Sequence, residues 1–262
     1  MDKHKIHAAN KARWDAGAER WAKLAEQRGS WRRCVAEPEL VLCPNELEYL
    51  DDVSGKSVCV LGSGDNQVVF ALAGLGADVT SVDVSERQLD VARERAQALG
   101  LTISFMQADV VDLSELSPGS FDVVYTGGHV AVWVADLVAY YAEAARVLRT
   151  NGLFIVNEYH PFRRIWRDSI DTLEVEASYY ERGPFEYHLD DDILRPKGGN
   201  LVSFEFRWTV SDYINAVLDA GCVLVNIDEY GEHVGDWEGA PMAGLPEFLL
   251  VIARKAEQGG VA

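Results

Sequence analysis

Two short runs constrain this chain more than any others: Val58-Cys59-Val60-Leu61-Gly62-Ser63-Gly64-Asp65-Asn66, and Ser81-Val82-Asp83-Val84-Ser85. The first is an apolar run of strand character that enters a glycine turn, and a helical pattern from about Asn66 to Leu75 follows it. A second apolar strand, Asp78 to Val82, ends on an acid. Gly62 and Gly64 carry no Cβ, so the backbone can turn tightly there and come close to a ligand. The helix after the turn points unpaired N–H groups at whatever the turn holds. Asp83 stands 19 residues beyond Gly64, where a carboxylate ending the next parallel strand accepts both hydroxyls of a ribose. The pattern predicts a βαβ unit that binds a nucleoside.

Which nucleoside turns partly on a missing glycine. A dinucleotide fold calls for G-x-G-x-x-G, whose last glycine lets the helix pack closely under a pyrophosphate. Gln67 occupies that place, which weighs against NAD or FAD without removing them. A glycine turn with no ligand is the plain alternative, and the acid at the right distance counts against it.

Three further strands follow in order. Ile103 to Val110 ends on Ala-Asp-Val, and Phe121-Asp122-Val123-Val124-Tyr125-Thr126 is entered through Ser117-Pro118-Gly119-Ser120. A helix from Val134 to Leu148 leads through Arg149-Thr150-Asn151-Gly152 into Leu153-Phe154-Ile155-Val156-Asn157-Glu158. With these residues the chain resembles the class I S-adenosylmethionine-dependent methyltransferases, in the branch acting on small molecules. The succession LGSG, VDVS, ADV, FDVVYT and RVLRTNGLFIVNE carries the resemblance strongly over about residues 50 to 160. AGCVLVNIDEY and PEFLLVIARK extend it more loosely toward the C-terminus.

The resemblance implies an α/β fold: a Rossmann-like, seven-stranded, mostly parallel sheet with an antiparallel edge strand and helices on both faces. It also implies S-adenosyl-L-methionine as cofactor, no metal, and methyl transfer to an oxygen, nitrogen or carbon of a small molecule. A nucleoside-binding protein without turnover and an NAD-dependent oxidoreductase are the competing classes. Carried over residue by residue, cofactor contacts fall on Gly62, Ser63, Gly64, Asp83, Gln88, Asp109, Val110 and Thr126. Asp109 would accept from the adenine amino group and Val110 would cover a face of the ring. Two positions depart from the family. Val60 stands where an acid usually helps hold the methionine ammonium, and Asn66 replaces a glycine. Asp65 is the nearby acid that could take over that role.

The chain has 262 residues, 48% of them hydrophobic, enough for one good-sized core, so a single methyltransferase domain is expected. Its parts would be an N-terminal helical cap (1–50), a cofactor-binding core (51–160), a substrate flap (161–207), and a C-terminal helix with edge strands (208–262). The formal charge of −18, from 42 acids and 24 bases, repels phosphate backbones. Nucleic acid is therefore not expected as partner. The short clusters Arg32-Arg33 and Arg163-Arg164 read as solvated surface. Together with the aromatic content, the acidity weakly favours a neutral or cationic, partly planar acceptor. Four cysteines lack metal or disulfide spacing. The charged N-terminus has no apolar core, and no apolar run approaches the length of a membrane span. A soluble, cytoplasmic protein is expected, with its oligomeric state open.

Before the core, residues 4 to 28 carry an apolar stripe that includes Trp14 and Trp21, one helix or two; Glu39 to Leu50 reads as another helix. In the resembling family such a segment lies across the cofactor mouth, so Trp14 and Trp21 are candidates to enclose ligand; packing on the sheet edge is their other reading. After the fifth strand, the aromatic-rich stretch 161–207 breaks the α/β alternation, with β-like runs at about 173 to 181 and 201 to 208 and a turn at Pro196-Lys197-Gly198-Gly199-Asn200. Lying over the carboxyl ends of the strands, it would roof an acceptor pocket together with the N-terminal helix. His129, Trp133, Glu158 and His160 would form the floor, with Trp166 also facing substrate. His160 and His129 are the candidate catalytic residues, His160 as a general base. The Gly231 to Pro246 loop, with Trp237 and Met242, would close the far side.

Overall fold

The computed structural model describes residues 2–167, 172–188, 201–232, 236–237 and 240–257. Helix α1 (Lys3–Arg28) is one unbroken element, N-capped by the Asp2 carboxylate and closed by Gly29 in the left-handed region. The helix expected over 39 to 50 is shorter. A 3-10 turn at Pro38–Leu40 comes first, then α2 (Pro44–Leu50). Pro44 explains the break, since it has no N–H to continue a preceding helix and suits a first turn. Cys43 and Glu46 cap α2 reciprocally.

The core then alternates: β1 (Ser57–Leu61), α3 (Val68–Gly74), β2 (Asp78–Asp83), α4 (Glu86–Leu99), β3 (Ser104–Gln107), β4 (Phe121–Gly127), α5 (Leu137–Val147) and β5 (Leu148–Tyr159). Strand β3 stops before Asp109, which lies in the following turn and accepts the Val111 N–H. Asp136 caps α5 three residues later than the apolar pattern alone suggests.

The insertion contains an antiparallel pair, β6 (Phe185–His188) and β7 (Val202–Glu205). The run expected at 173 to 181 is not a strand; only Val175 forms a bridge, with Trp166. Leu173 and Val175 are exposed, so the apolar residues that suggested a strand have no face to cover. The Pro196–Asn200 turn and the Trp237 side chain lie outside the described residues. Helix α6 (Val210–Asp219) has a reciprocal cap from Thr209 and Asp212. Strand β8 (Cys222–Glu232), the short pair β9 (Asp236–Trp237) and β10 (Ala240–Pro241), and β11 (Pro246–Lys255) complete the chain. No helix among the described residues is long and apolar enough to cross a membrane.

The sheet runs β3-β2-β1-β4-β5-β11-β8. Strands β1 to β5 are parallel, and β11 is reversed between β5 and β8. Alternation divides the strands' side chains between two cores. Cys59, Leu61, Val124 and Val156 pack with α5 and α6, while Val58, Val60, Val123 and Ile155 pack with α2 and α3. Chain connections leave in opposite directions from β1 and β4, which opens a crevice at their carboxyl ends. Helix α1 contacts α4 and β7 near that edge.

Candidate functional site: a glycine turn and a cation-lined pocket

Leu61 of β1 pairs in register with Thr126 of β4, and Gly127 with Asn157 of β5. The glycine turn, the 128–133 loop and the residues after Tyr159 therefore leave the sheet side by side. Gly62 and Gly64 take φ values of 64° and 49°, a backbone that glycine adopts without strain. Asp83 braces this turn. Its Oδ2 accepts the Gly64 N–H at 2.7 Å and its Oδ1 accepts the Ser85 N–H at 2.7 Å. Burial pushes its pKa up to about 6, against the pull of both amides. Each oxygen still has a second lone pair, the acceptor set that two neighbouring ribose hydroxyls require.

Other residues around the turn divide by where their polar atoms go. The Ser63 hydroxyl is bonded to that of Ser81 at 2.6 Å and to the Val82 carbonyl, so its side chain is held within the sheet. Thr126 is likewise buried against the Tyr140 hydroxyl. Val110 belongs to the apolar core beside α5. Gln88, in the first turn of α4, donates to the Trp14 carbonyl at 3.4 Å and lies beside Gly64. Asp65 is paired with the buried Arg95 at 2.6 Å, an ion pair that occupies the acid considered for the methionine ammonium. Gln67, in the place of the absent third glycine, has a buried Oε1 without a hydrogen-bond partner. A carbonyl oxygen in that condition suits a donor such as an ammonium.

Helix α1 ties down the edge of this site through polar residues that its sequence did not single out. His7 Nε2 accepts the Ala135 N–H at 2.9 Å, so a neutral ring carries its proton on Nδ1 and donates it to Asp109 Oδ2 at 2.6 Å. Asn10 donates to the Trp133 and Phe204 carbonyls and accepts the Phe204 N–H. Asp15 accepts the Ser85 hydroxyl at 2.6 Å. Trp14 meets Trp133 edge-on with ring centroids 5.2 Å apart, and Trp21 lies 6.2 Å from Trp14. The missed signal was spacing: His7, Asn10 and Trp14 recur at three and four residues along one helix face.

The 128–133 loop forms a wall with different residues on its two sides. Val130 packs so closely on Gly62 that a Cβ there would overlap it. His129 and Val132 instead line a pocket on the far side, with Tyr159 and His160 from the end of β5. Arg163, Arg164 and Arg207 supply its charge, and Trp208 and Tyr213 extend its flat apolar surface.

His129 takes a φ of 79°, and its ring centroid lies 4.8 Å from that of Tyr159. Its Nε2 accepts from Arg164 at 2.5 Å, while Nδ1 is buried without a partner. Burial first, then Arg164, Arg163 and Arg13, hold its pKa well below the usual histidine range. His160 is in the pocket wall, but both its ring nitrogens are engaged. Nδ1 accepts the Phe162 N–H at 3.2 Å, so Nε2 carries the proton and faces Glu229 at 2.7 Å. A general base needs a free lone pair, and this arrangement gives His160 none.

Glu158 is buried at the end of β5. Its Oε1 accepts the Ala131 N–H at 3.1 Å and so holds the loop, while Oε2 is buried without a partner. Burial pushes its pKa up to about 7. Trp133 lies under α1 with the Arg13 guanidinium 4.4 Å from its ring, and Trp166 bridges to Val175; neither is among the pocket residues. The expectation of a solvated Arg163-Arg164 cluster fails. Arg163 is 5% exposed, with its guanidinium 3.9 Å from the Tyr159 ring, and Arg164 is ion-paired with Glu205. Their place just after β5, at the ligand edge of the sheet, was the available signal.

Comparison with known proteins decides the family. The methyltransferase domain family matches residues 59–156. An uncharacterized methyltransferase of Bacillus subtilis, YbaJ, is 30% identical over 237 residues, covering 85% of this chain and 89% of that protein. The chain belongs to the class I S-adenosylmethionine-dependent methyltransferases. Its cofactor is accordingly S-adenosylmethionine. A ubiquinone biosynthesis O-methyltransferase of Thiobacillus denitrificans is 32% identical over 171 residues, 63% of this methyltransferase and 73% of that one. The fold is also that of the solved S-adenosylmethionine-dependent methyltransferase from Mesorhizobium loti, with a TM-score of 0.59 at 24% identity over 81% of this chain and 98% of that one.

Proposed function

We propose that this enzyme transfers the methyl group of S-adenosylmethionine to an oxygen, nitrogen or carbon of a small molecule held in the pocket beyond the 128–133 loop. The observation that carries this reading is the 128–133 loop, with Val130 against the glycine turn and His129 and Val132 on the pocket. Relatives that include ubiquinone biosynthesis O-methyltransferases support a small acceptor.

Bound S-adenosylmethionine supplies a methyl group on a sulfonium, which passes to a nucleophile by in-line displacement. The residues around it then have to align, exclude water and hold protons where they belong. In this reading Asp83 takes the ribose hydroxyls, and Gly62 and Gly64 bring the backbone against the ligand. Asp109 and Val110 meet the adenine, and Gln67 offers its carbonyl to the ammonium. Helix α1 covers that end through His7, with Trp14 and Trp21 as its apolar face. His129 touches the acceptor as a neutral ring, and Tyr159, Trp208 and Tyr213 offer it aromatic surface. His160 and Glu158 position the loops on either side.

Titration calorimetry with S-adenosylhomocysteine and with NAD, followed by a labelled-methyl assay on pooled metabolites, tests the reading. We expect S-adenosylhomocysteine to bind, NAD to give no heat, and label to appear in a fraction of low molecular mass. Label appearing only in RNA or protein would overturn the small-molecule assignment.

A further inference from the structure

The acceptor pocket is chemically one-sided. Its polar surface consists mainly of cations and N–H donors, in a chain whose overall charge is −18. Arg163, Arg164 and Arg207 line it, and Arg13 is close enough to act on His129. The carboxylates nearby are already engaged, three of them with lining groups and Glu158 with the Ala131 N–H of the loop. Glu205 is ion-paired with Arg164, Glu229 meets His160, and Glu247 is 3.7 Å from Arg163.

Two groups then lack an acceptor. Because His129 Nε2 accepts from Arg164, the proton of the neutral ring is on Nδ1, and that N–H is buried without a partner. Arg207 has its Nε and one terminal nitrogen buried without a hydrogen-bond partner, while its guanidinium lies 3.9 Å from the Phe185 ring. A cation stacked on an aromatic face keeps its N–H fork free for an in-plane acceptor. Buried donors without acceptors are rare and call for explanation.

We infer that the methyl acceptor is an aromatic carboxylate, a flat ring whose anionic group is bound by Arg207 and the His129 Nδ1–H. The inference rests on the reading of this pocket as the acceptor site. It reverses the expectation of a neutral or cationic acceptor, which came from net charge. A pocket is governed by its nearest groups, since charges beyond about 8 Å are largely screened at physiological salt. The aromatic ring is suggested by Tyr159, Trp208 and Tyr213, which line the pocket. A carboxylate matches the guanidinium fork with two parallel hydrogen bonds, which an amide or ester cannot reproduce.

The test is calorimetric and uses the full chain saturated with S-adenosylhomocysteine. Benzoate, benzamide, methyl benzoate and phenyl phosphate are titrated as probes. Benzoate is expected to bind at least about tenfold more tightly than benzamide or methyl benzoate, as a charge-assisted pair requires. Arg207→Gln should abolish that preference, and Arg207→Lys should restore part of it, with S-adenosylhomocysteine affinity unchanged in both. Equal binding of benzoate and benzamide by the wild-type protein overturns the inference without any variant. So does phenyl phosphate binding more tightly than benzoate, which would replace the carboxylate by a phosphate ester. Failure of S-adenosylhomocysteine itself to bind would instead strike at the reading of the cofactor site.

Discussion

The glycine turn and the cation-lined pocket stand on opposite sides of one loop, yet they are built by different means. The turn is local. Gly62, Gly64 and Asp83 lie within one βαβ unit, and two backbone amides fix the acid. The pocket is assembled from afar, with His129 after β4, Arg164 after β5 and Arg207 after β7 meeting only once the sheet has formed. A site made of backbone geometry leaves its mark in residue spacing. A site made of converging side chains leaves almost none, and its charge can oppose that of the whole chain.

The largest expected effect lies on the turn. Asp83→Ala should weaken S-adenosylhomocysteine binding by about ten- to a hundredfold, the loss of one or two charge-assisted hydrogen bonds. Asp83→Asn, which can keep one amide contact, guards against misfolding. Because the ionised acid accepts the hydroxyls, wild-type affinity should also decline as pH falls below about 6. Unchanged affinity in calorimetry would mean that the second strand does not present its acid to the ligand.

The pocket side was legible in outline and obscure in role. The insertion after β5 follows from the break in apolar periodicity and its turn residues, while the mixed sheet and the helix over the ligand edge came with the family resemblance; the reversed strand, β11, lies between β5 and β8. His160 could not be resolved that way, because its role depends on Glu229 and Phe162, one of them 69 residues distant. Arg163 and Arg164 read as surface because charge in sequence gives no depth. The Pro44 break and the short β3 were visible as residues, but their consequence depends on which groups can hydrogen-bond.

His160→Ala sharpens the contrast. It should lower stability by about 1–3 kcal/mol, the usual cost of stranding buried hydrogen-bond partners, and leave turnover within about threefold. Urea unfolding and a labelled-methyl assay read the two quantities separately. A fall of two orders in turnover at unchanged stability would restore His160 as a base.

Glu158→Gln tests the wall between the two regions. Because burial raises the folded-state pKa from an ordinary 4.5 to about 7, the ionised form costs stability. The contribution of the neutral acid is fully present below pH 4.5 and is lost as pH rises through 7. The variant stays neutral throughout. It should match the wild type near pH 4.5 and exceed it by about 1–3 kcal/mol at pH 8. Parallel pH–stability curves would show that the carboxylate is better solvated than its surroundings indicate.

The smallest effect belongs to His7. Replacing it with alanine removes one hydrogen bond to Asp109 and one from Ala135, at the margin of the nucleoside end. S-adenosylhomocysteine affinity should change by about two- to fivefold, as the modest net worth of such bonds implies. A tenfold loss would show that α1 forms part of the cofactor site, and that long-range contacts matter there as much as in the pocket.

The wall between the two sites has a thermodynamic corollary. If a ligand displaces Val130 from Gly62, the adjacent His129 and Val132 move with it, and the two ligands become linked through one segment. Linkage makes that coupling reciprocal: whatever factor the donor imposes on acceptor affinity, the acceptor imposes on the donor. Adjacency here is therefore a form of communication, and the segment that separates the two ligands is also the one through which each registers the other.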